Sequence, residues 1–149
     1  MTRAPRKYVL DTNCFIDAAR DPSANAAFET FCGHASPVLY LSAVVAAEVC
    51  AGAGRSRSRL ERVVLAPYVR RGRVVAPSAR SWEALGDTLA TLSARHGLAR
   101  ADVSRSFVCD ILIAHSCREA SAILVSANTR DMDRIARVFA FDYVEPYPS

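Results

Sequence analysis

The chain has 149 residues, of which 51% are hydrophobic, and a net charge of +4. That length suits one domain with a single sizeable core, and the apolar share excludes a disordered chain. No apolar run nears the roughly 20 residues that a membrane span needs, and the basic start MTRAPRKYVLDT lacks the apolar stretch and cleavage site of a secretory signal, so a soluble cytoplasmic protein with no membrane partner is expected.

KYVLDT (7–12) is rich in β-formers and reads as a first strand, followed by a helical pattern. DPSAN interrupts it, with Asp21-Pro22 as a turn and Ser23 as a candidate N-cap for a helix over 24–33 that Gly33 ends. PVLYLS (37–42) reads as a second strand, and Ser42 can cap a helix over AVVAAEVCAGA. Arg55 to about Val69 reads as one further helix, strongly basic. GRVVAPS (72–78) is a third strand with a helix cap at its end, and 79–96 a long amphipathic helix closed by His96-Gly97. After a loop, Ser104 or Ser106 can begin the helix carrying FVCDILIAHSCREA. SAILVSAN (121–128) is a fourth strand, TRDMDRIARVF a helix, and FDYVEPY contains a short last strand stopped by prolines.

Strands alternate with helices throughout, which predicts an α/β fold with a mostly parallel sheet and right-handed crossovers. With no repeat, linker or low-complexity segment, residues 1–149 read as a single domain. Cys14, Cys32, Cys50, Cys109 and Cys117 are odd in number and form no CxxC. They read as small buried hydrophobes in a reducing compartment, and no zinc site is expected with His34, His96 and His115.

In an open parallel sheet, ligands bind beyond the carboxyl ends of the strands. Asp11 ends the first strand and Asp131 follows the fourth; alone, each reads equally as a helix-start acid. Glu48 and Asp110 are harder to explain. Both stand in apolar helical stretches, and neither has an opposite charge at i±3 or i±4. A buried carboxylate is costly unless paired or coordinated, so either a distant arginine or a cation is expected to answer it. Four converging carboxylates would repel and hold their protons. Mg²⁺ or Mn²⁺ relieves this, since both prefer carboxylate and water oxygens. Such a site suits phosphodiester hydrolysis, because the ion lowers the pKa of a bound water and stabilises the developing charge.

LDTN near the amino end, the isolated Glu48, the CDILIA segment and SANTRDMD together resemble the PIN-domain family, most closely its VapC-like toxin ribonucleases of type II toxin–antitoxin systems. The likeness runs from about residue 8 to 145. It implies a three-layer α/β/α sandwich around a mostly parallel sheet of about five strands. It also implies a Mg²⁺- or Mn²⁺-dependent endoribonuclease. Carried over, Asp11, Glu48, Asp110 and Asp131 are the catalytic, metal-holding acids, with Asn13, Ser126 and Asn128 supporting them. Ser126 stands where many members have Thr, and Met132 where an aromatic residue is common. The resemblance further implies an RNA substrate, a cognate antitoxin and a homodimer. His115, five residues after Asp110, faces elsewhere on the helix and reads as structural.

All but one of the 19 basic residues are arginine, which forks phosphate and stacks on bases. Seven arginines and one acid lie between Arg55 and Arg73. Arg55, Arg57, Arg59 and Arg62 are candidates for RNA or antitoxin contact, set against the plainer reading of a solvated helix face. An aspartyl phosphatase would want an acid where Asn13 stands and a later lysine, but Lys7 is the only one. A receiver domain lacks its acid cluster and late lysine for the same reason. The rival of another class is a non-catalytic PIN-like module that binds RNA or protein.

Overall fold

The structure, a computed structural model, describes residues 5–149. Strand β1 (Lys7–Leu10) leads into helix α1 (Thr12–Arg20) and α2 (Pro22–Ala35). Then come β2 (Leu39–Ser42), α3 (Ala43–Gly52), α4 (Arg57–Leu60), α5 (Ala66–Arg70) and β3 (Val74–Val75). The long α6 (Ala79–His96) precedes α7 (Arg105–Glu119), β4 (Ala122–Val125), α8 (Thr129–Ala136) and β5 (Asp142–Val144). The five strands run parallel in the order β3-β2-β1-β4-β5, so the fold is the expected α/β/α sandwich. Among the described residues no helix is long and apolar enough to cross a membrane.

Most boundaries follow from local chemistry. Ser42, Ser78 and Ser104 each accept the amide hydrogen bond that caps the next helix. Gly97, at φ 68°, closes α6 in the left-handed conformation. Three expectations need correction. The cap of α2 is Asp21 and not Ser23, because Pro22 occupies the first helical position and the Asp21 carboxylate accepts from the Ala24 amide. Gly33 does not end that helix, which runs to Ala35. The basic stretch is not one helix. A short 3₁₀ turn at Gly54–Ser56 precedes α4, and a wide π turn at Glu61–Leu65 precedes α5. Pro67 explains the wide turn: its ring would clash with the carbonyl four residues back and has no N–H to give it.

The core lies on both sides of β1 and β4. Val9, Leu124 and Val125 of the sheet and Met132 and Ile135 of α8 are fully buried. Helix α7 is buried almost all round its circumference, from Phe107 through Cys117, and packs against α6, α8, α3 and β4. That enclosure is why FVCDILIA reads as core on every face. None of the five cysteines is in a disulfide. His115 has no role near the acids: it bonds the Thr88 hydroxyl and stacks on Phe139, with ring centres 3.8 Å apart.

Candidate active site

The chain runs outward from β1 through β2 to β3 on one side, and resumes at β4 and β5 on the other. The carboxyl ends of β1 and β4 therefore flank a switch point, where the crossovers leave a crevice. Leu10 is in register with Val125, which places Asp11 and Ser126 side by side as the two strands end.

Asp11 is 2% exposed and heavily bonded. The Ser126 hydroxyl donates to its Oδ2 at 2.6 Å, Asn13 Nδ2 donates to the same oxygen at 3.1 Å, and the Thr12 amide donates to Oδ1 at 2.8 Å. Asp11 is thus both the N-cap of α1 and a fixed acid at the crevice; the two readings of that position do not compete. Asn13 also bonds Ser126 and accepts from the Ala127 amide, tying α1 to the loop after β4.

Asp110 lies on the buried helix at 6% exposure. No arginine answers it among the described residues, whose ion pairs are Arg6–Asp142, Arg57–Glu61 and Arg134–Asp131. Its partner is Asn128, whose Nδ2 donates to Asp110 Oδ2 at 3.3 Å and to Asp131 Oδ2 at 2.9 Å. One amide nitrogen thus spans two of the acids. Asn128 also caps α8 through the Asp131 amide. Glu48, half-buried on α3, accepts from the Thr12 hydroxyl, which links it to the residue beside Asp11.

The electrostatics follow from this packing. Burial pushes Asp110 up to about 8, and the charges of Asp11, Asp131 and Glu48 add to the shift against the hydrogen bond from Asn128. Burial raises Asp11 as well; the bonds from Ser126 and Thr12 pull it back, and the Glu48 charge raises it again. Asp110 therefore feels the charges of the other three acids, and Asp11 that of Glu48. They do not form a ready-made cage. Among the described residues no three His, Cys, Asp or Glu side chains stand close enough for that. A looser ring of carboxylates still fits Mg²⁺ or Mn²⁺ in chemistry. Such ions take hard oxygen ligands, and Mg²⁺ binds through one or two carboxylates and several waters. The donor set here is all oxygen, and two of its acids are buried without a counter-charge.

Asn13, Ser126 and Asn128 all touch the acids. Arg55, Arg57, Arg59 and Arg62 are exposed on the segment after α3, with Arg57 bonded to Glu61. An apolar groove of about 490 Å³ opens next to Glu48, lined by Phe15, Phe28, Val49, Leu60 and Val64. Its walls come from α1 and α2 as well as from α3 and α4. Two contributors went unnoticed in the sequence. Thr12 carried no signal beyond its place in LDTN. Arg134 did carry one, because it lies three residues after Asp131 on the same helix.

The PIN-domain family model matches residues 8–138. Solved structures with the same fold include DNA-bound VapBC from Salmonella typhimurium, 20% identical, with a TM-score of 0.69 and covering 96% of this chain and all of that one. FitAcB from Neisseria gonorrhoeae is 19% identical, with a TM-score of 0.70 and coverage of 93% and 97%. VapBC-1 from nontypeable Haemophilus influenzae is 21% identical, with a TM-score of 0.62 and coverage of 93% and 96%. No curated protein matches this chain.

Proposed function

The chain belongs to the PIN-domain family, and on that premise we propose that it is a divalent-metal-dependent endoribonuclease, the toxin of a toxin–antitoxin pair. One observation carries the reading: Asp11 and Asp110 are buried at the sheet's switch point, and neither is paired with a cationic side chain among the described residues. A structural acid in such a place is ordinarily paired. An acid that serves a cation need not be.

Asp11 and Asp110 would hold Mg²⁺ or Mn²⁺, with Glu48 completing the set directly or through water. The ion, when bound, lowers the pKa of a water and stabilises negative charge on the phosphate. The protein does the rest. Ser126, Asn13 and the Thr12 amide fix Asp11. The apolar flanks of Asp110 lock α7 against the sheet, so its carboxylate keeps its position. Asp131, held by Asn128, would orient the attacking water. The exposed arginines after α3 would meet phosphates at the rim.

Several neighbours were solved as VapBC or FitAB complexes, some of them on DNA, and this supports an antitoxin partner here, a homodimer, and a complex that can sit on DNA. A cytoplasmic location accords with that role. The deciding experiment incubates the purified chain with labelled RNA in EDTA, in Mg²⁺ and in Mn²⁺. Cleavage in metal, its loss in EDTA and its loss in Asp110→Asn are expected. Because the acids form no ready-made cage, the second reading is a non-catalytic binding module. Intact RNA in every condition, together with no rise in melting temperature on adding Mn²⁺, would establish that one instead.

A further inference from the structure

Asp131 differs from the other acids of the crevice because, among the described residues, it alone has a cationic partner. Arg134 Nη1 lies 3.2 Å from Oδ1, and Asn128 Nδ2 lies 2.9 Å from Oδ2. The guanidinium of Arg134 is itself seated. Its central carbon is 4.7 Å from the centre of the Phe107 ring, and that ring is buried in the first turn of α7. Phe107 stands one turn before Asp110 on the same helix. The contacts Phe107–Arg134–Asp131–Asn128–Asp110 therefore form a circuit that starts and ends on α7 and passes through α8.

We propose that Arg134 is a positioning residue: stacked on Phe107 and bonded to Asp131, it fixes that carboxylate as the acid that stays with the protein while Asp11, Asp110 and Glu48 take the metal. The inference rests on the metal-dependent nuclease proposed above. An isolated ion pair three residues apart on a half-exposed helix is weak and mobile. An aromatic platform beneath a planar guanidinium removes much of that freedom. The gain is geometric: Asp131 keeps one orientation toward the crevice, which is what a residue that orients a reactant requires. Lysine would supply the charge without the plane.

The test compares Arg134→Gln, Arg134→Lys and Phe107→Leu with the wild type in the full chain. Four quantities are read: the melting temperature, the Mn²⁺ dissociation constant without RNA, and kcat and KM on labelled RNA at saturating Mn²⁺. Both arginine variants should lose about tenfold or more in kcat, with KM unchanged and Mn²⁺ binding unchanged or tighter. Phe107→Leu should lose kcat in the same direction, and the double variant should lose less than the two single losses combined. Parallel losses of melting temperature, Mn²⁺ affinity and kcat would make Arg134 merely structural and overturn the proposal. A rise in KM alone would make it a phosphate contact, with the same consequence. Asp131→Asn weakening Mn²⁺ binding about tenfold or more would also overturn it, since Asp131 would then be a ligand. A wild type without Mn²⁺-dependent cleavage is a separate failure, read from the wild type alone; it refutes the nuclease reading and this inference with it.

Discussion

Replacing Asp110 by asparagine should make the metal-free protein more stable, and increasingly so as pH rises. The Asp110 carboxyl ionises near 3.8 in an unfolded chain and is pushed up to about 8 in the fold. Between those values the folded state holds a proton that the unfolded state has released. Its contribution to stability is therefore complete below pH 3.8 and is lost progressively as pH climbs through about 8. At 1.36 kcal/mol per pKa unit, the full span is about 6 kcal/mol. Solvent at the mouth of the crevice lessens this, so about 3 kcal/mol is expected by pH 8. The amide of the Asp110→Asn variant has nothing to ionise and keeps a carbonyl oxygen to accept from Asn128. For a chain of this length that corresponds to about 5–10 °C in melting temperature. Melts of the two proteins in EDTA at pH 4, 6 and 8 provide the assay. The curves should nearly coincide at pH 4 and separate by pH 8. Mn²⁺ should then raise the wild type and not the variant, because the ion replaces the proton on an acid that only the wild type has. Parallel pH profiles in EDTA, or a variant less stable at pH 8, would refute the reasoning that burial and neighbouring acids load this carboxyl.

Ser126→Ala removes the 2.6 Å donor to Asp11 and should cost about 1–2 kcal/mol in urea unfolding, with loss of RNA cleavage. Burial lowers the His115 pKa, with Arg118 acting in the same direction, so its neutral form supports the fold. That support is present above the unfolded pKa near 6.5 and lost as pH falls through the lowered native value; His115→Gln should flatten the acid limb of the stability profile measured by thermal melts. Ile111→Ala, at a fully buried position on α7, should lose about 2–5 kcal/mol in urea unfolding. In cleavage assays, Thr12→Val should weaken activity less than Glu48→Gln, because Thr12 acts on the site only through Glu48 and its own backbone amide.

Much of the fold could be read along the chain, because the signals are local. Ser42, Ser78 and Ser104 cap helices where a serine precedes an apolar helical pattern. The run AILV forms β4, fully buried, as a continuous apolar stretch in a parallel sheet should be. The departures have local causes too. Pro22 transferred the cap to Asp21, and Pro67 opened the π turn in the basic segment. Those effects depend on backbone geometry that a hydrophobic pattern does not register.

The sequence by itself determined that Asp11 would stand at a strand end, and that Glu48 and Asp110 would sit in apolar helices with no local counter-charge. Only the tertiary structure decided what they meet. Setting β1 against β4 brings Ser126 onto Asp11 and the Asn128 amide between Asp110 and Asp131. Among the described residues it also leaves Asp110 without an arginine, whereas the Asp131–Arg134 pair is local to α8. The physical reason is separation along the chain. Helical spacing specifies neighbours three and four residues away, whereas the Ser126–Asp11 and Asn128–Asp110 bonds join residues 115 and 18 apart, and the packing of the elements chooses them. FVCDILIA thus records a buried acid in one dimension; that its neighbours are three acids and an amide is a property of the fold.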